Sequence, residues 1–136
     1  MRISNVRVKR ILMVRLNPGE DVLEGLTASM KAEGIRNATI VNGLGSTRSN
    51  HYHVVASNEL PPKEAFTKGD EPKDIVSMSG LVIDGRVHAH ICLSDDKKAE
   101  GGHLEPGTTV LTFAIITIAD LGGADFTDWD SIKSFD

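Results

Sequence analysis

Residues 110–119, VLTFAIITIA, restrict most tightly what this chain can fold into. In an extended backbone successive side chains point to opposite faces. Leu111, Phe113 and Ile115 then face one way, and Val110, Ala114, Ile116 and Ile118 face the other. A strand that is apolar on both faces has to be covered on both. The run includes two threonines and is far too short to cross a bilayer as a helix, which needs about 20 apolar residues. A twice-covered strand inside a sheet is what remains.

Only one helical stripe is available to do the covering. Asn17-Pro18-Gly19-Glu20 carries a helix-start signal: a capping Asn, a Pro at the first helical position and a Glu three residues after the cap. Val22, Leu23, Leu26 and Met30 follow on one helical face, and Gly34 is placed to end the helix in a left-handed conformation. This predicts a helix over 18–33. One helix cannot cover both faces of a sheet, so the second face is closed by curvature or by another subunit, and a homo-oligomer is expected.

The remaining segments read as strands. Val6, Val8, Leu12, Val14 and Leu16 share a parity over residues 6–16, with Arg10 as the exception, while Arg7 and Lys9 lie on the other, solvated face. Strands are predicted at 38–43 and 47–57, separated by a tight turn at Gly43-Leu44-Gly45-Ser46. That turn lacks the third glycine and the following helix of a phosphate loop. Residues 58–73 hold three prolines and read as a surface loop. Strands at 74–83 and 86–94 meet at Asp84-Gly85, a two-residue hairpin signal. A polar loop over 95–107 leads to a last strand over 108–119. The acidic tail from 120 looks loosely ordered, with Phe126, Trp129, Ile132 and Phe135 available to dock on a partner. The expectation is one α+β domain over 1–136, with its core at 6–119: a mainly antiparallel sheet of about six strands with one helix packed on it.

Composition narrows the function. At 136 residues the chain has room for one core, and with only 4% aromatics that core is aliphatic. A net charge of −4 argues against a domain built mainly to grip phosphate backbones. A lone cysteine, Cys92, allows no intrachain disulfide and fits a reducing cytoplasm. The N-terminus lacks the apolar run of a signal peptide, so a cytoplasmic protein with no membrane partner is expected.

The chemistry-bearing residues gather near one hairpin. Along residues 86–94, Val87, Ala89, Ile91 and Leu93 form one face, while Arg86, His88, His90, Cys92 and Ser94 form the other. The α-carbons of His88 and His90 are about 6.5–7 Å apart at a strand rise of about 3.3 Å, so their imidazoles can converge on one ion. Gly101-Gly102-His103 follows after a polar loop, and its glycines permit close backbone approach. Three histidines with an open fourth position suit zinc. Cys92 lies about 13 Å from His88 along the strand, too far to share the ion, and is expected at the margin. Glu100 and Glu105 flank the cluster and can orient a histidine or act as a base, while Arg86 or Arg48 can hold an anionic substrate. A rival pair, His51 and His53, could join the cluster, form a second site or line a subunit interface; the interface is the favoured reading.

The ordered set Ser77-Met78-Ser79-Gly80, Asp84-Gly85, His88-Ala89-His90, Leu93-Ser94-Asp95 and Gly101-Gly102-His103-Leu104 resembles the plant-and-prokaryote-conserved (PPC) domain family. The helix start at Gly19-Glu20 and the Gly43-Leu44-Gly45 turn match in order, and the resemblance spans about residues 8–119. It implies an antiparallel sheet with one packed helix, assembled as a homotrimer, with zinc held by His88, His90 and His103. Its members are often labelled DNA-binding. The basic Arg-Gly-Arg-Pro-like segment that plant members use in the minor groove has no counterpart here. Three readings follow: a zinc-binding oligomeric domain that contacts DNA or a protein, a small zinc enzyme of hydrolase or lyase type that uses a metal-bound water, or a purely structural domain in which zinc, or no metal, stabilises an interface.

Overall fold

The computed structural model describes residues 1–134. Seven antiparallel strands and one helix follow the order β1 (Arg10–Leu16), α1 (Val22–Ala32), β2 (Ala38–Val55), β3 (Glu64–Gly69), β4 (Lys73–Ile83), β5 (Arg86–Ser94), β6 (Ala99–Leu104) and β7 (Thr109–Asp120). This is the expected α+β class.

The sheet runs β1-β7-β2-β4-β5-β6, with β3 paired to β2. It then closes on itself. The far end of β2 pairs with β6, Tyr52 opposite Leu104 and His53 opposite His103. β2, β4, β5 and β6 therefore form a ring. Curvature thus supplies part of the cover that the twice-apolar β7 requires. Val110, Ala114, Ile116 and Ile118 are fully buried against α1 residues Val22, Leu26 and Met30. The opposite face of β7 is less covered: Leu111 stays exposed and Phe113 and Ile115 half-buried. Leu44 and Arg15 both lie opposite Ile115, and Met13 lies opposite Thr117, so these share that outer face. On it Met13 is 64% and Ile11 56% exposed.

Several boundaries differ from expectation, each for a local reason. The helix starts at Val22, not 18, because Asp21 and not Asn17 is the cap: its Oδ1 accepts the Glu24 N–H at 3.0 Å. Asn17 to Glu20 forms a preceding turn, with Gly19 at φ +87°. Residues 6–9 lie outside β1, which begins at Arg10. The two strands predicted at 38–43 and 47–57 are one strand of 18 residues, β2. Gly45 does not turn the chain back. It takes φ +145° within the strand, where a Cβ would strike the Phe113 carbonyl of β7. The ladder there shifts register, the signature of a bulge that bends a strand. Both predicted loops contain strands, β3 and β6. The tail is packed: Phe126 and Leu121 are 5% exposed and meet Ile83, with Leu81 and Trp129 alongside. Ile132 is exposed, and Phe135 lies outside the described residues.

Candidate metal centre

The face split read from β5 holds. Val87, Ala89, Ile91 and Leu93 are buried, while His88 and Cys92 are half-buried and His90 exposed on the other side. Register then collects the histidines. His90 stands directly opposite His103 across β5 and β6, and His53 stands opposite the same His103 across β2 and β6. Gly101 and Gly102 make that row possible. A Cβ on Gly101 would run into the Ile91 carbonyl, and one on Gly102 into the His53 carbonyl. Only a strand without side chains at these two positions fits between β5 and β2.

His88, His90 and His103 each offer a ring nitrogen within 4.8 Å of the others. Their ring centroids lie 4.5 Å apart for His88 and His103, and 5.7 Å for each of the other two pairs. Burial and the neighbouring His88 and His53 hold His90 below the usual imidazole value. The same causes lower His103, with Glu105 working in the opposite direction. Both rings are thereby kept in the neutral form that ligates metals.

Two carboxylates orient rings of the cluster. Asp130 Oδ2 lies 2.8 Å from His88 Nδ1 and 2.7 Å from an Arg86 guanidinium nitrogen. A carboxylate only accepts, so Nδ1 carries a proton and Nε2 is the nitrogen left to face a metal. Burial pushes Asp130 up, but the hydrogen bonds from His88 and Arg86 prevail and leave it below the usual carboxylate value. Glu105 Oε1 sits 2.6 Å from His53 Nδ1 in the same way. His53 stacks on His103 at 4.4 Å, and with Glu105 and His103 it forms a second group whose ligand atoms converge. A cavity of about 610 Å³ opens over the cluster, lined by His53, Glu64, His88, His90, His103 and Asp130 among others.

The flanking residues singled out by sequence have separate fates. Glu105 and Arg86 reach the cluster through His53 and Asp130. Glu100 does not: it pairs with Lys73 Nζ at 2.7 Å and Lys98 Nζ at 2.7 Å. Lys73 is buried and also holds Asp95 at 2.9 Å. Arg48 lines a different hollow, with Asp70, Pro72 and Leu111. Cys92 belongs to neither ligand group. His53 joins the cluster, and His51 is held by the Pro106 carbonyl at 2.6 Å. Asp130 had no local signal, since its partner is 42 residues away.

The Plants and Prokaryotes Conserved (PCC) domain matches residues 3–122. The chain belongs to this family. A plant- and prokaryote-conserved protein of Pyrococcus horikoshii has the same fold, with TM-score 0.78 and 25% identity over 92% of this chain and 87% of that one. A metal-containing protein of Archaeoglobus fulgidus superposes with TM-score 0.80 at 24% identity, over 92% and 89% of the two chains. The bifunctional protein GlmU of a Synechococcus strain is 27% identical over 112 residues, 82% of this chain. This PCC domain spans only 17% of that relative's length.

Proposed function

We propose that this PCC domain is a zinc-binding protein that self-assembles through its outer sheet face. The convergence of the His88, His90 and His103 ring nitrogens within 4.8 Å carries the reading. Three imidazoles would hold an ion and leave a position open to water, and an all-nitrogen set favours zinc. The fit has further support: His88 already has a proton on the nitrogen that faces Asp130, and among the described residues that line the cavity there is no lysine or arginine to repel a cation. The metal-containing relative of Archaeoglobus fulgidus agrees with it. The exposed Ile11, Met13, Leu44 and Leu111 support assembly, and a homotrimer is the form that the family resemblance implies. The location is cytoplasmic on this reading, consistent with a single free cysteine. No helix among the described residues is long and apolar enough to cross a membrane.

The cavity favours a second reading, a hydrolytic or lyase-type zinc enzyme. When bound, the metal would supply a water of lowered pKa. His53, with its far nitrogen fixed by Glu105, could exchange a proton with a ligand in the cavity. DNA contact is the weaker option, since the net charge is −4.

Metal analysis of untagged protein purified without chelator is the test. About one zinc per chain, lost in His88→Ala and His103→Ala, is expected; wild-type protein that takes up no zinc when it is offered refutes the reading. Solution mass tests assembly, where a monomer refutes it. A salt-sensitive gel shift would point to DNA, and zinc-dependent turnover of a lactone or ester to the enzyme.

A further inference from the structure

We propose that Asp130, carried on the docked C-terminal segment, is the positioning residue for the metal ligand His88, so that zinc affinity and docking of this segment rise and fall together. The inference rests on the metal reading above. It concerns a part of the chain beyond the span matched by the PCC family, which ends at residue 122.

The segment is held by its own contacts. Leu121 donates its backbone N–H to the Asn37 carbonyl at 3.0 Å, and the Asn37 side-chain amide donates to the Ala124 carbonyl at 2.8 Å. Phe126 and Trp129 pack edge to face at 5.3 Å over Ile83 and Leu81. Turns closed by Trp129 N–H to Phe126 O and Ser131 N–H to Asp128 O then point Asp130 back at β5. One oxygen, Oδ2, takes both the His88 and Arg86 hydrogen bonds, and the Asp130 side chain is 16% exposed.

The consequence for the ligand is specific. An imidazole can carry its proton on either nitrogen and rotate about χ2. The carboxylate removes both freedoms by holding Nδ1–H, which leaves Nε2 as the ligand nitrogen of a ring that lines the same cavity as Asp130. Carboxylates in this position typically contribute about 10–100-fold to metal affinity. Linkage is reciprocal, so metal that favours the Asp130–His88 pair must also favour the docked segment by the same factor.

The test compares full-length wild type, D130A and D130N by zinc competition against a chromogenic chelator, with melting of the metal-free proteins as a check on folding. D130A should still bind one zinc but about 10–100-fold more weakly. D130N, whose amide oxygen still accepts from Nδ1, should recover most of that loss. Zinc should also slow proteinase K cleavage within residues 123–134 of the wild type and not of D130A. A D130A affinity within about tenfold of wild type, a D130N as weak as D130A, or cleavage that ignores zinc overturns the inference. If the wild type itself binds no zinc, it is the metal reading that has failed.

Discussion

The helix start provides a stringent check, because two residues compete for the capping role. Asp21 Oδ1 accepts the Glu24 N–H at 3.0 Å, and its Oδ2 accepts the Gly107 N–H at 2.6 Å, which ties α1 to the loop that follows the His103 strand. Asn17, the cap expected from sequence, uses its side-chain oxygen instead on Arg15 at 2.6 Å, on an exposed surface. Removing a capping side chain costs about 1 kcal/mol. Losing the second, charge-assisted bond adds about 1 kcal/mol more. Asp21→Ala should therefore destabilise by about 2 kcal/mol, while Asn17→Ala should cost less than about 0.5 kcal/mol. In urea unfolding, with m of about 2 kcal/mol/M, the first variant loses about 1 M in midpoint and the second almost nothing. In a thermal scan Asp21→Ala should melt about 6–8 °C lower. Equal losses, or an unperturbed Asp21→Ala, would refute the assignment of the cap and the two-bond magnitude with it.

His103→Ala should abolish zinc uptake more completely than His53→Ala, because His103 belongs to both convergent groups; metal analysis of the two variants decides it. Lys73→Met should lower the melting temperature by several degrees at pH 7. The hydrogen bonds from Lys73 hold Glu100 and Asp95 below the usual carboxylate range. Groups with depressed folded values stabilise above their unfolded values and lose that contribution as pH falls. The gap between wild type and Lys73→Met should therefore narrow between about pH 5 and pH 3, as denaturant titrations at the two values would show. Gly45→Ala should cost about 3 kcal/mol or prevent folding, measured by circular dichroism melting, since its backbone sits at φ +145° against the Phe113 carbonyl.

Legibility followed how local each signal was. The β5 face split needed nothing beyond strict alternation, so residues 86–94 and two of the clustered histidines, His88 and His90, were readable; His103 was marked by the two glycines before it. The Asp84-Gly85 hairpin was equally clear, with both residues at positive φ. β3 and β6 were not. EAFTKG is exposed or nearly so at every position, and AEGGHL alternates nothing, because backbone pairing with neighbouring strands holds both in place. Gly45 imitated a turn because a bulge and a turn ask the same thing of one residue. The ring closure that brings His53 to the cluster, and the path that brings Asp130 to His88, depend on pairings across 50 and 42 residues respectively, shown by His53–His103 and Asp130–His88. No window of sequence contains either.

The pairing of β1 with β7, Arg10 opposite Asp120, has a consequence for how the molecule is made. Of the strands described, β1 is made first and must wait for β7, the last of them, before it gains its neighbour, and the long β2 waits for the same partner. Until then their apolar stripes stand uncovered in the growing chain, where holding chaperones and other unfinished chains compete for them. Folding dominated by such distant pairings takes on the order of milliseconds to seconds once β7 has been made. Synonymous changes that slow translation between residues 55 and 109 should therefore lower the yield of folded protein, and greater chaperone supply should restore it.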